Sequence, residues 1–236
     1  MIELKNVSKE IGGRTVVRDV SLTIPTGVVF GFLGPNGAGK TTTIKMLVGL
    51  NHPTVGQVRV GGSMPTDKAA RARIGFMPET PQFYDHLSGL EFLRFCGELF
   101  SAHTDEVQYF AALERLGIFE AKDQKISTYS KGMKQRLGFA QALLNDPQYL
   151  FLDEPLDGLD PLGRKALKTI ITELKAQGKT IFFNSHILFD TQELCDQIGV
   201  LHQGSLLYAG PVEDFTRGKT LEEQFVTTIE SLGTTI

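Results

Sequence analysis

The stretch Gly34-Pro-Asn-Gly-Ala-Gly-Lys-Thr-Thr42 follows the apolar run Val28-Val-Phe-Gly-Phe-Leu33 and precedes a segment with helical spacing, residues 41–50. Glycines let the backbone curl so that successive N–H groups point inward at phosphate oxygens. A helix that begins near Lys40 adds the positive end of its dipole at the same place. The sequence therefore predicts a buried strand, a phosphate-binding loop and a helix, in that order.

The side chains of this loop suit a nucleotide with a bound metal ion. Lys40 can reach the β- and γ-phosphates as a point charge, and the Thr41 hydroxyl can bind the magnesium ion that bridges them. A chance glycine-rich turn is the alternative, and the position between a strand and a helix argues against it. We expect these residues to contact the nucleotide: Gly34, Pro35, Asn36, Gly37, Ala38, Gly39, Lys40, Thr41 and Thr42.

Two acids end a second apolar run, Tyr149-Leu-Phe-Leu152. Asp153 and Glu154 would then lie at the carboxyl edge of a sheet, where ligands of open α/β folds bind. Asp153 suits a magnesium ion, and Glu154 suits the polarisation of an attacking water. Taken without the loop, the pair fits equally well an ordinary strand end whose acids cap the next turn.

Composition excludes several classes of protein. The 236 residues carry a net charge of -3 without long runs of like charge, which argues against a nucleic-acid substrate. Cys96 and Cys195 form no CxxC pair, so neither a disulfide framework nor a zinc site is indicated. The apolar runs are shorter than the ~20 residues that a membrane-spanning helix needs. A role at a membrane would therefore require another subunit.

Strand and helix patterns alternate along most of the chain, which predicts a largely parallel sheet. Residues 2–7 and 15–24 indicate two antiparallel strands. Residues 81–147 have helical periodicity, with Phe92, Leu93, Cys96, Leu99 and Phe100 on one face. We expect one domain, 1–236, made of an α/β nucleotide-binding core (1–80 and 148–220), a helical insertion (81–147) and a short helical tail (221–236).

Three further motifs stand in an order that resembles the ATP-binding cassette (ABC) family over nearly the whole chain. Tyr129-Ser-Lys-Gly-Met133 resembles the ABC signature, usually Leu-Ser-Gly-Gly-Gln, and Glu154-Pro-Leu-Asp-Gly-Leu-Asp160 resembles the D-loop. Asn184-Ser-His186 resembles the switch-histidine element. The resemblance implies a P-loop NTPase (RecA-like) fold: a mainly parallel sheet core, an antiparallel β subdomain and an inserted α-helical subdomain.

The resemblance also assigns roles to single residues. His186 would sense the γ-phosphate and support the catalytic water beside Glu154 and Lys40. Ser130, Gly132, Met133 and Asp160 would complete the nucleotide site of a second, head-to-tail copy. Considered alone, Ser130 and Asp160 fit helix N-caps at least as well, and the two roles are compatible.

Several positions depart from the family pattern. Glu79 stands where a glutamine is usual; its carboxylate could bind both nucleotide and magnesium, or be a solvated loop acid. Lys131 and Met133 replace a glycine and the glutamine of the signature. Ile11 occupies the approximate place of an aromatic residue that stacks on adenine, so base recognition would rest on apolar contact.

We therefore expect an ATPase subunit with ATP and Mg²⁺ as cofactors. It would dimerise, most simply as a homodimer, and drive a separately encoded membrane permease from the cytoplasmic face. The signature variant and the ending Leu221-Glu-Glu-Gln-Phe225 resemble ABC-2 type export cassettes. Phe83 and Tyr84 are candidates for permease docking or for the core of the helical insertion.

Two alternative functions stay open: a soluble ABC ATPase such as an iron-sulfur assembly component, and a regulatory module that hydrolyses little.

Overall fold

The computed structural model describes residues 1–100 and 105–232, so the last four residues of the predicted tail lie outside the described part. The strands are β1 (Ile2–Ile11), β2 (Arg14–Ile24), β3 (Val29–Leu33), β4 (Val55–Val60), β5 (Ile74–Met77), β6 (Tyr149–Asp153), β7 (Thr180–Asn184), β8 (Gln197–His202) and β9 (Ser205–Pro211). The α-helices are α1 (Lys40–Leu47), α2 (Lys68–Arg71), α3 (Gly89–Leu99), α4 (Glu106–Arg115), α5 (Lys131–Leu143), α6 (Pro161–Ala176), α7 (Leu188–Leu194), α8 (Val212–Thr216) and α9 (Leu221–Glu230).

The larger sheet has the strand order β5-β6-β7-β3-β8-β9. Its strands run parallel except for β9, which pairs antiparallel with β8. Every residue of β3, β6 and β7 is buried, as expected for parallel strands covered on both faces. The predicted mainly parallel core is therefore present.

Alternate side chains of these strands pack into two apolar clusters. Phe182 lies in one cluster, with ring centroids 5.2 to 5.9 Å from those of Phe30, Phe32 and Phe151. Phe183, the next residue along β7, lies in the other cluster, which also contains much of the helical part. Because successive side chains of a strand point to opposite faces, each strand packs against the apolar clusters on both faces of the sheet.

The smaller sheet has the order β2-β1-β4 and is antiparallel throughout. Its first two strands are those predicted from the sequence. The third, β4, was missed because its six residues include Gly56 and only Val58 and Val60 are buried, which leaves a weak alternating pattern.

Helices α3, α4 and α5 fall within the predicted insertion, whose boundaries stay a prediction. Ser88 and Glu91 form a capping box that fixes the start of α3. The predicted common face of α3 is buried only as far as Cys96: Leu99 is 70% and Phe100 is 44% exposed. The reason is that α3 ends at Leu99, so these side chains lie beyond the packed part of the helix. No helix in the described ranges is long and apolar enough to cross a bilayer.

Candidate nucleotide-binding site

A pocket of about 500 Å³ lies where β3, β6 and β7 end and α1 begins. This volume is within the range of ligand pockets, ~300–1,000 Å³. Its lining residues are Val16, Asn36, Gly37, Gly39, Lys40, Thr41, Thr42, Glu79, Asp153, Glu154, Asn184 and His186. The parallel pairing of the three strands thus gathers motifs that are up to 150 residues apart, from Asn36 to His186.

Backbone geometry explains why the phosphate loop needs glycine. Gly39 has φ 107°, a left-handed conformation that residues with a side chain rarely adopt. A Cβ at this position would also lie 2.7 Å from the carbonyl oxygen of Val16. The loop therefore passes close against β2, and its curl depends on the missing side chain.

Lys40 lies inside this curl and is only 8% exposed. Its Nζ donates hydrogen bonds to the carbonyl oxygens of Gly34 (2.7 Å) and Pro35 (3.2 Å). Burial lowers the pKa of Lys40, whereas the nearby carboxylates of Glu154, Asp153 and Glu79 oppose that shift. The ammonium is therefore bound by backbone carbonyls and lies within the electrostatic influence of three carboxylates.

Asp153 is almost fully buried at the end of β6. Burial raises the pKa of Asp153, and a hydrogen bond donated by Asn184 Nδ2 to its Oδ1 partly offsets this. The charge of Glu79 adds to the rise, while a hydrogen bond from Thr41 lowers the pKa. Asp153 and Thr41, predicted together as metal ligands, are thus direct neighbours.

The side-chain oxygen atoms next to Thr41 are suited to bind a magnesium ion. They belong to the Asp153 carboxylate, the Thr41 hydroxyl and the exposed Glu79 carboxylate, which all line the pocket. The buried Asn184 Oδ1 has no hydrogen-bond partner and is a further oxygen next to Asp153. No group of three or more His, Cys, Asp or Glu in the described parts of the chain could hold a metal alone. Magnesium suits such a site because it takes few protein ligands and completes its shell with phosphate and water.

Glu154 and His186 face each other in the pocket. His186 Nδ1 lies 2.8 Å from Glu154 Oε2, and the backbone N–H of His186 donates to the same oxygen at 3.2 Å. Burial raises the pKa of Glu154, and these contacts with His186 partly offset the rise. Such a carboxylate is a stronger base than one in water, and the histidine orients it.

The backbone of Glu154 is unusual and firmly held. Its φ of 53° is left-handed, which costs a residue with a side chain roughly 1–2 kcal/mol. Its N–H donates to the Asn184 carbonyl at 2.9 Å, and its carbonyl accepts from Gln135 Nε2 at 2.8 Å. Unfavourable conformations persist where surrounding contacts fix them, often at functional sites.

The remaining predicted residues lie outside this pocket. Ser130 caps α5 by accepting a hydrogen bond from Met133 N, with Gly132 in the first turn. Asp160 caps α6 by accepting from Gly163 N. The capping roles are therefore real, and contact with a second copy's nucleotide stays a prediction. Ala38 is buried behind the loop, and Ile11 is 50% exposed and does not line the pocket.

Sequence reasoning left three residues out of the site. Asn184 and Val16 line the pocket, and Gln135 holds the Glu154 carbonyl. Asn184 could have been predicted, because it is the last residue of a buried parallel strand, as Asp153 is. Val16 and Gln135 carry no local signal, since their roles come from tertiary packing.

Comparison with known proteins bears on this geometry. Residues 17–157 match the family model described as ABC transporter. An uncharacterized ABC transporter ATP-binding protein of Nostoc sp. is 45% identical over 202 residues, which cover 84% of this chain and 60% of the relative. The bacitracin transport ATP-binding protein BcrA of Enterococcus faecalis is 40% identical, covering 88% of this chain and 68% of BcrA.

A solved structure agrees over a larger share of the fold. The structure described as the ATP binding subunit of an ABC transporter superposes with a TM-score of 0.88 and 32% identity, covering 96% of this chain and 98% of that one. This chain spans only about 60% of the length of the Nostoc relative. The resemblance and the P-loop NTPase fold expected from the sequence are confirmed. The chain belongs to the ABC transporter family and forms its ATP-binding, ATPase-type domain.

Proposed function

We propose that this chain binds ATP with Mg²⁺, hydrolyses it between two copies of the domain, and thereby drives a separate membrane permease. The observation that carries the hydrolytic part is the contact between Glu154 and His186 across the pocket from Lys40. A chain that served only to bind nucleotide would not need a buried carboxylate oriented by a histidine.

Binding rests on the loop and the helix that follows it. The backbone N–H groups of the loop and the first turn of α1 surround the phosphates. The Lys40 ammonium gives up its hydrogen bonds to the carbonyl oxygens of Gly34 and Pro35 and donates to phosphate oxygens instead. Thr41 and Asp153 hold the metal, with Glu79 at the edge of the pocket. When bound, magnesium offsets the charge of the phosphate oxygens.

Hydrolysis rests on Glu154. Its carboxylate accepts a proton from a water molecule as the water oxygen attacks the γ-phosphorus, and the bond to the bridging oxygen breaks to leave ADP. His186 holds the carboxylate in place through Oε2 and lies on the open side of the pocket, where it can contact the γ-phosphate. The raised pKa of Glu154 makes this proton transfer more favourable than it would be for an exposed glutamate.

The second copy supplies the other wall of the site. Ser130 and Asp160 are exposed at the N-termini of α5 and α6, and Gly132 and Met133 are half-buried beside them. A helix start with a hydroxyl and N–H groups is suited to a γ-phosphate. In a head-to-tail dimer, these residues complete the partner's pocket, and turnover needs both copies.

The helical part offers a surface for a permease. Phe83 is half-buried and packs edge-on against the core residue Phe92 at 5.1 Å, whereas Tyr84 is half exposed and contacts Phe95. Leu99 and Phe100, at the end of the helix that carries Phe95, are exposed as well. Because BcrA is described as a transport protein, we propose the same class of role here, with export as its direction and the cytoplasmic face of the membrane as its location.

Replacement of Glu154 by Gln tests hydrolysis. The amide cannot accept the proton, so ATP turnover should fall about 100-fold or more while ATP binding persists, as measured by phosphate release and by equilibrium binding. Glu120→Gln, an exposed acid that belongs to none of the motifs and does not line the pocket, should hydrolyse at the wild-type rate. Unchanged turnover in Glu154→Gln would rule out this residue as the base.

The pH dependence of turnover tests the contact with His186. Glu154 is active when ionised, so kcat should decline on the acid side as the pH falls through its raised pKa. His186→Ala keeps the backbone N–H but removes the imidazole, whose contact with the carboxylate also lowers this pKa, so the acid limb of the residual activity should move to higher pH. A limb that stays in place or moves to lower pH would contradict the assignment.

Purification from membranes separates a transporter subunit from a soluble ABC ATPase. The tagged full-length protein, extracted in mild detergent, should retain a membrane permease identifiable by mass spectrometry. Tyr84→Ala should reduce its recovery several-fold, and Phe189→Ala, a still more exposed aromatic on α7, should not. Recovery of soluble partners in place of a permease would favour the iron-sulfur assembly type of role.

A further inference from the structure

Lys131 stands where the ABC signature usually has a glycine, and its side chain contacts a neighbouring loop. Its Nζ donates a hydrogen bond to Asp157 Oδ2 at 2.7 Å. Lys131 is the first residue of α5, and Asp157 lies between β6 and α6. The ion pair therefore joins the signature helix to the segment that follows Glu154.

The stem of Lys131 is fixed by a second contact. A Cβ on Gly158 would lie 2.7 Å from both Cδ and Cε of Lys131, so the methylene groups rest directly on the backbone of Gly158. Gly158 also has φ 71°, a conformation that favours glycine. The direction of the lysine towards Asp157 is thus set by packing as well as by charge.

Asp157 is connected in turn to the proposed base. Its N–H donates to the Glu154 carbonyl at 3.2 Å, which closes the turn 154–157. Gln135, buried on α5, donates to the same carbonyl. Helix α5 therefore holds this turn at both ends, through Gln135 at Glu154 and through Lys131 at Asp157. The turn begins with the left-handed backbone of Glu154, which needs such support.

We propose that Lys131 is a positioning residue for hydrolysis: through Asp157 it holds the 154–157 turn in the conformation that directs the Glu154 carboxylate towards His186. The inference rests on the hydrolytic function proposed above and adds a residue that controls the same site. Because Lys131 follows Ser130, a shift of α5 on contact with the second copy reaches Glu154 through this pair.

The exposure of the pair separates positioning from a role in folding. The side chains of Lys131 and Asp157 are 68% and 39% exposed. Exposed ion pairs contribute little to the stability of the fold. Loss of this pair should therefore leave the unfolding temperature unchanged, so that any effect on turnover reports on the position of Glu154.

The test compares Lys131→Met, Asp157→Asn and their combination in the full-length protein. Each single variant should lower kcat about 10-fold with the KM for ATP unchanged, because a small displacement of the base slows the chemical step. The double variant should be no slower than either, since the two residues act as one unit. Lys131→Arg keeps the ion pair and should restore most of the wild-type rate.

A matched control is available on the same two parts of the fold. Arg115 on α4 pairs with Glu173 on α6, also at 2.7 Å and also exposed, but does not touch the 154–157 turn. Glu173→Gln should therefore leave both kcat and KM unchanged. It shows what the loss of an ordinary ion pair between the helical part and the core does.

Three results would overturn the role of Lys131. The first is an additive loss of kcat in the double variant. The second is a kcat of Lys131→Met and Asp157→Asn as high as that of Glu173→Gln. The third is a raised KM for ATP in Lys131→Met, together with an unchanged kcat and KM in Asp157→Asn. The last would make Lys131 a direct phosphate contact. The same series includes the wild-type protein and Glu154→Gln. If the wild-type protein has no ATP turnover that depends on Glu154, the hydrolytic function and the role of Lys131 are overturned together. If that turnover is present but Lys131→Met and Asp157→Asn hydrolyse at the wild-type rate, only the role of Lys131 is overturned.

Discussion

The parallel pairing of β7 between β3 and β6 is the constraint on which the site depends. Phe182 lies opposite Phe30 on one side and Phe151 on the other, so the three strands are in register and end together. Asp153 and Asn184 are partners in this register, and their side chains are joined by a hydrogen bond. Burial of the strands on both faces prevents a slip, because a shift of one residue would exchange the two apolar clusters. The fold thus fixes where phosphate, metal and base meet.

Burial acts against the charges of three residues at this edge of the sheet. It raises the pKa of Asp153 and Glu154 and lowers the pKa of Lys40, and the opposite charges of these groups offset part of the cost. The arrangement is therefore sensitive to added charge, which is what the proposed ATP and Mg²⁺ bring. Glu79, a carboxylate where the family often has glutamine, adds to this sensitivity because its charge acts on both Asp153 and Lys40.

The local sequence was sufficient to predict the buried strands and the glycine-rich loop. The loop beginning at Gly34 and the acids at the end of β6 were predicted because buried strands have continuous apolar sequences and glycines indicate where the loop curls. Val16 and Gln135 were missed because only tertiary packing brings β2 and α5 to the pocket. Leu99 shows the reverse error: helical spacing placed it on the buried face, but it is the last residue of α3 and lies beyond the packed part of the helix. The roles of Ser130 and Asp160 towards a second copy stay predictions from the family resemblance, because within one chain both residues serve as helix caps.

These features make the pocket of one chain half of a proposed site, with the signature of a second copy as the other half. A structure of full-length Glu154→Gln with Mg²⁺ and ATP tests this claim most directly. The account predicts two copies head to tail, with the γ-phosphate between Lys40 of one copy and Ser130 of the other. Nucleotide bound at Lys40 with Ser130 of every copy facing solvent would contradict it.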